Sequence, residues 1–201
     1  MDTVKIEHKG NTRMVAHRGA SALERENTTA AFLAAANRSY YGIETDVHRT
    51  ADGAFVVIHD DRTGRVCKED IPVEGSTLAA LRALQLYDTH GLATRGDLVI
   101  PTLEEYAVIC RDYEKVAVLE LKNAFSPEDI AKIVATLGNL QVLEQTVFIS
   151  HGDCEEDAKA LADMIRAQGG NDVQIITNVG TVIGAHSGPG TMALFFLAKQ
   201  R

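Results

Sequence analysis

Short apolar runs and stretches with a three-to-four-residue rhythm take turns along the chain, and each change of rhythm marks a change of element. The run Met14-Val-Ala-His17-Arg18-Gly19 reads as a first strand with a polar tip, Val15 and His17 on one face. Glu26-Asn27-Thr28-Thr29 offers side-chain caps to a helix over 30–38, where Phe32, Ala35 and Ala36 recur at helical spacing. A second strand starts near Gly42. Beyond the turn signal Asp52-Gly53, the run 55–58 reads as another strand and ends in His59-Asp60. Residues 62–100 are loose and glycine-punctuated, an insertion with one short helix over 78–84. Thr102-Leu-Glu-Glu105 is a capping-box pattern opening a helix with the stripe Leu103, Tyr106, Ala107 and Cys110.

The alternation then continues to the end of the chain. Strand 116–122 precedes a helix capped by Ser126 with Pro127 at its first position and a stripe of Ile130, Ile133, Val134 and Leu137. Strand 146–150 precedes a helix capped by Asp153 and Glu156 and stopped at Gly169-Gly170. Strand 173–177, a small-residue loop over 182–190 and an apolar run over 191–197, read as a strand, complete about seven strands. Strands alternating with helices predict an α/β fold with parallel pairing.

The polar residues on these strands change the picture. Side chains alternate across a strand, so Glu44, Asp46 and His48 share one side while Ile43, Thr45 and Val47 take the other. Two readings are open for the acidic pair: the solvated face of an edge strand, or a site. The second gains weight because His17, Glu44, Asp46, His59, Glu120 and Lys122 all fall at or near the C-terminal ends of separate strands, where α/β enzymes keep their chemistry. Three carboxylates there suit a hard divalent cation, Mg2+ or Ca2+, rather than zinc. Two histidines can act as general acid and base, while Arg18 and Lys122 hold an oxyanion, a set that suits hydrolysis at phosphorus.

Composition narrows the partners. With 201 residues, 45% of them hydrophobic and 24% charged, the chain is long and apolar enough for one sizeable core. A net charge of −8 argues against a broad nucleic-acid or anionic-membrane surface but permits a local phosphate site. No run approaches the roughly 20 apolar residues of a membrane span and no signal-peptide pattern is present, so a cytoplasmic protein is expected. Cys67, Cys110 and Cys154 are odd in number and widely spaced, which predicts free thiols. His8, His48 and His90 have no partners in pattern and are expected on the surface or in loops.

His17-Arg18-Gly19, Glu26-Asn27-Thr28, Glu44-Thr45-Asp46, Asp52-Gly53, His59-Asp60, Pro101-Thr-Leu-Glu-Glu105 and Glu120-Leu-Lys122 together resemble the glycerophosphodiester phosphodiesterase family over about residues 14–150. The resemblance implies a (β/α)8 barrel and hydrolysis of a small-molecule glycerophosphodiester to an alcohol and glycerol 3-phosphate. It implies His17 and His59 as the acid/base pair, Glu44, Asp46 and Glu120 as metal ligands, and Arg18 and Lys122 at the phosphate. Arg25 departs from the proline usual there.

From His151 onward the resemblance changes. His151-Gly-Asp-Cys-Glu-Glu-Asp-Ala and Val182-Ile-Gly-Ala-His186-Ser-Gly-Pro-Gly-Thr-Met-Ala-Leu-Phe-Phe resemble the C-terminal end of the DegV fatty-acid-binding family, in which the residue matching His186 lies near the lipid carboxylate. The expectation is one α/β domain over 1–201, a chimera of a phosphodiesterase-like part (1–150) and a DegV-like part (151–201). Its sheet would be a five-strand piece of barrel continued by a βαβ-type segment, mixed or mostly parallel. Such an open sheet predicts weak or lost turnover, a fold-only or fatty-acid-binding alternative, and self-association into a homodimer through an unpaired edge.

Overall fold

Helical and strand segments form largely where the apolar rhythm places them. The computed structural model describes residues 10, 13–122, 125–140, 146–170, 172–176, 190 and 192–196. In chain order these give β1 (Val15–Ala16), α1 (Thr29–Ala36), β2 (Gly42–Arg49), β3 (Phe55–Val57), α2 (Leu78–Arg82), α3 (Leu103–Asp112), β4 (Val116–Leu121), α4 (Pro127–Asn139), β5 (Thr146–His151), α5 (Glu155–Ala167), β6 (Asp172–Ile176) and β7 (Met192–Phe196). Local chemistry accounts for the helix starts. Thr28 accepts from Ala31 N–H at α1, Thr102 and Glu105 form the reciprocal capping box of α3, and Ser126 with Asp129 does the same for α4, where Pro127 needs no donor. The cap expected from Asp153 and Glu156 does not form. Cys154 stands at the α5 N-cap but its side chain makes no capping bond, and its N–H donates to Nδ1 of the buried His151 at 3.3 Å.

The strands make one seven-stranded mixed sheet in the order β1-β2-β4-β7-β5-β6, with β3 paired to β2. Among the described residues the sheet does not close into a barrel. The expectation of parallel pairing holds for β1, β2 and β4 and for β5 with β6, and fails for two strands. β3 is antiparallel to β2 because only 50–54 join them, a hairpin closed by Thr50 N–H to Ala54 O and by Gly53 at φ 81°, whereas a parallel crossover needs a dozen residues or more. β7 is antiparallel to both β4 and β5 and lies between them, its Leu194 wholly buried, as suits a continuous apolar run in a central strand.

α1, α3, α4 and α5 pack on one face of this sheet, over Ile43, Val47, Ala117, Leu119, Val147, Ile149 and Leu194. The insertion 62–100 carries a smaller core of its own, Val66, Cys67, Val73, Leu81, Leu86, Leu98 and Ile100 against Val56 and Ile58 of the hairpin. No described helix is long and apolar enough to cross a membrane. Cys67 and Cys110 are buried thiols outside any disulfide, as expected, and Cys154, also outside any disulfide, is half-buried.

Candidate active site

The register of β2 places the site. β1 runs beside Gly42 and Ile43, and β3 returns beside Val47 to Arg49 with Ile58 N–H reaching the Asp46 carbonyl at 3.1 Å, so the two leave a gap on that edge opposite Glu44 and Thr45. β1 enters the gap from below and β3 from above. His17 follows β1 and His59 follows β3, and the histidines approach Glu44 and Asp46 from opposite directions. On the other edge β4 is parallel and in register, Asp46 level with Glu120, which brings Lys122 to the same end. His59 therefore reaches the site by an antiparallel return, not as the tip of a parallel strand.

Ligand oxygens of Glu44, Asp46 and Glu120 lie within 4.8 Å of one another. Lys122 Nζ is 2.7 Å from Glu120 Oε1 and 3.0 Å from Asp46 Oδ1, and Arg18 Nε is 3.5 Å from Asp46 Oδ2. Asp46 is wholly buried, and its Oδ2 also accepts from Asn27 Nδ2 at 2.8 Å. Its Oδ1 takes the Lys122 charge but no aligned hydrogen bond. Arg18, held at φ 55°, turns its backbone N–H onto Glu44 Oε2 at 2.8 Å. Gly19 follows at φ 78°, and a Cβ there would lie 2.7 Å from the Ala31 carbonyl carbon, so only glycine lets this loop sit against α1.

Charge crowding is visible in the titration of these groups. Burial, then the Asp46 and Glu120 charges, push the Glu44 carboxyl up to about 8, the N–H of Arg18 notwithstanding. Burial and the Arg18 charge hold His17 below its ordinary value, so it is neutral at pH 7. The buried acid and the unbonded Asp46 Oδ1 are what a divalent cation with hard oxygen ligands would relieve, so the three carboxylates fit such an ion.

Six of the seven residues singled out along the strands are in contact here, His17 only through its Nε2 at 3.8 Å from Glu44 Oε2 on a side chain that is 69% exposed, while His59 lies close enough for its charge to act on His17. His186 lies outside the described residues. Three partners had no signal in the strand pattern. Asp60 Oδ1 is 2.6 Å from His59 Nδ1, Arg65 Nε is 2.6 Å from Asp60 Oδ2, and Arg65 also grips Glu26, which pairs with Arg18 at 3.0 Å. Glu26 and Asn27, read as helix caps, are site residues, and Arg65 belongs to the insertion. The guanidinium of Arg25, the departure noted above, donates to the carbonyls of Tyr87 (2.8 Å) and Asp88 and ties the insertion to this loop. His48 is a correction too. It is fully buried, its Nε2 3.3 Å from the His59 carbonyl and its Nδ1 3.5 Å from Glu74.

Arg65→Ala is expected to lower turnover about tenfold or more by releasing Asp60, and with it the His59 ring. Stability should fall by less than about 1 kcal/mol, because the pairs of a half-exposed arginine contribute little. Steady-state kinetics with thermal melts check this; equal kinetics would mean that the network is surface charge alone.

The model of the glycerophosphoryl diester phosphodiesterase family matches residues 17–162, most of the chain. The chain belongs to that family. Within the family it is 42% identical over 125 residues to YhdW of Bacillus subtilis, covering 62% of this chain and 50% of YhdW. It is 37% identical over 112 residues to the glycerophosphodiester phosphodiesterase of Caldanaerobacter subterraneus, covering 56% of this chain and 46% of that protein. The chain thus spans about half the length of these curated relatives. A crystal structure of the glycerophosphodiester phosphodiesterase from Agrobacterium tumefaciens superposes with a TM-score of 0.63 at 25% identity, over 82% of this chain and 66% of that one. An Oleispira antarctica phosphodiesterase, solved with the product sn-glycerol-3-phosphate, superposes with a TM-score of 0.62 at 25% identity, over 85% and 67%. Over 58 residues the chain is 54% identical to a DegV domain-containing protein of Clostridium perfringens, 29% of this chain and 20% of that protein.

Proposed function

We propose that the chain hydrolyses small-molecule glycerophosphodiesters to an alcohol and glycerol 3-phosphate, with Mg2+ or Ca2+ held by Glu44, Asp46 and Glu120. The observation that carries this reading is the acidic trio beside the gap on the β2 edge, toward which β1 leads His17 and β3 leads His59 from opposite directions. A bound divalent cation would draw electron density from the phosphorus and neutralise its non-bridging oxygens. Arg18 and Lys122 add their charges on the same oxygens, and Lys122 exchanges its carboxylate partners for the phosphate as substrate arrives. His17, held neutral, accepts the proton of the attacking oxygen as the new P–O bond forms. His59 donates a proton to the leaving alcohol oxygen as the old P–O bond breaks, with Asp60 orienting its ring through Nδ1.

The likeness to a DegV protein supports a second proposal, that the chain joins parts of two families near residue 150 within one α/β domain. In that case the segment around His186 offers a fatty-acid carboxylate a partner, and the open sheet holds substrate poorly, so turnover is weak. Open edges at β1 and β6 then favour a homodimer. The tests separate these readings. Glycerophosphocholine hydrolysis followed by 31P NMR should require added Mg2+ or Ca2+ and stop with chelator; no release with either ion would overturn the enzymatic reading. Co-purified fatty acid would support the second site, and light scattering gives the mass.

A further inference from the structure

Tyr106 was legible only as one apolar position on the α3 stripe, yet its hydroxyl does something the stripe does not need. The backbone bonds from β4 to β2 alternate: Val116 N–H donates to Tyr41 O and Lys122 N–H donates to Val47 O. By that alternation Val118 N–H should donate to Ile43 O. The Tyr106 hydroxyl meets both partners of that bond, donating to Ile43 O at 2.6 Å and accepting from Val118 N–H at 2.9 Å. The phenol oxygen, on a side chain with no solvent exposure, is thus bonded to both strands at one rung of the parallel ladder. It cannot retreat, because the ring is held edge-on to Phe32 with centroids 5.0 Å apart. A buried tyrosine hydroxyl must find a partner, and helix stripes usually supply one without touching a sheet.

Its position is what gives this bond leverage. Ile43 directly precedes Glu44, and Val118 stands two residues before Glu120, so the hydroxyl sits beside the place where the two strands hand their carboxylates to a common centre. We propose that Tyr106 is a positioning residue that sets the separation of β2 and β4, and through it which divalent cation Glu44, Asp46 and Glu120 accommodate. The proposal rests on reading that trio as a cation site. Mg2+ holds oxygens at about 2.0–2.1 Å in strict octahedral geometry and Ca2+ at about 2.3–2.6 Å more loosely, so a shift of a few tenths of an ångström between the strands changes the preference.

The test is Tyr106→Phe in the full chain, with Ile133→Val on α4 as a core truncation remote from the ladder. Calorimetric titration with Mg2+ and with Ca2+ should show at least one dissociation constant changed about 10-fold or more in Tyr106→Phe, the scale typical of groups that support metal ligands, and a changed ratio of the two. Ile133→Val should melt earlier with the ratio unchanged. Wild-type constants for both ions in a folded Tyr106→Phe would overturn the proposal and leave the hydroxyl a purely structural bond. If the wild-type chain binds neither ion, the reading of the trio fails, and the spacing claim is then decided by a crystal structure of Tyr106→Phe: a changed β2–β4 separation supports it, and an unchanged separation overturns it.

Discussion

Replacing His17 by alanine is expected to lower kcat/KM for glycerophosphocholine by about 100- to 10,000-fold, the range that a positioned general base contributes. The fold should be untouched, since the His17 side chain is mostly exposed and its one recorded ion-pair contact is the 3.8 Å approach to Glu44. The pH profile carries the assignment. A base works when deprotonated, and burial with the Arg18 charge places His17 below its ordinary value of 6.5. The acid limb of the wild-type profile should therefore fall below pH 6.5 and vanish in His17→Ala, leaving slow turnover with a flatter profile. His59→Ala should lose activity on a similar scale, and Asp60→Asn less, because the ring stays but its orientation loosens. A His17→Ala variant that retains turnover within a few-fold of wild type would remove His17 from the chemistry.

Glu44→Gln should separate metal binding from folding. In the metal-free chain the folded-state value of Glu44 is about 8 against an ordinary 4.5, so the native state prefers the protonated acid. Stability from this group is fully present below about pH 4.5 and is lost as pH rises through 8. At pH 8 the amide, which never ionises, should stabilise the metal-free protein by about 1–3 kcal/mol, an increase in Tm of several degrees for a chain of this size. At pH 5 the two proteins should melt alike. Cation binding reverses the order: the wild type at pH 7 must release close to one proton on taking up the ion, and its affinity should weaken nearly tenfold per pH unit below 8. Calorimetry in two buffers of different ionisation enthalpy reads that proton. Equal proton release by wild type and Glu44→Gln would show that Glu44 is not the group displaced.

Much of the fold was written in local pattern. The capping boxes at Thr102 and Ser126, the stripes of α3, α4 and α5, and the alternation of β2 all depend on neighbours within a turn or two, and they appear where the rhythm places them. Misreadings came where distance decided. Asp153 had the chemistry of a cap, but it sits at φ 56° and His151 takes the Cys154 N–H first. His48 had no partner in sequence because its partners, the His59 carbonyl and Glu74, arrive through the hairpin and the insertion. The hairpin was missed in favour of parallel pairing, although five residues between β2 and β3 are too few for a parallel crossover.

The site divides in the same way. Glu44, Asp46, Glu120 and Lys122 announced themselves because alternation in a strand is a local rule, and two polar groups spaced by two must share a side. Arg65, Glu26 and Tyr106 did not, since nothing in a chain tells a charged loop residue or an apolar-stripe tyrosine which distant backbone it will meet. The sequence by itself therefore determined the elements, the caps of α1, α3 and α4, and the acidic faces of β2 and β4. Only the tertiary structure decided that β7 enters between β4 and β5, that β1 and β3 leave a gap on the β2 edge, and that a tyrosine hydroxyl bonds to both β2 and β4. Strand order and side-chain networks are set by long-range packing, where many pairings satisfy the same local pattern and the buried hydrogen bonds select among them.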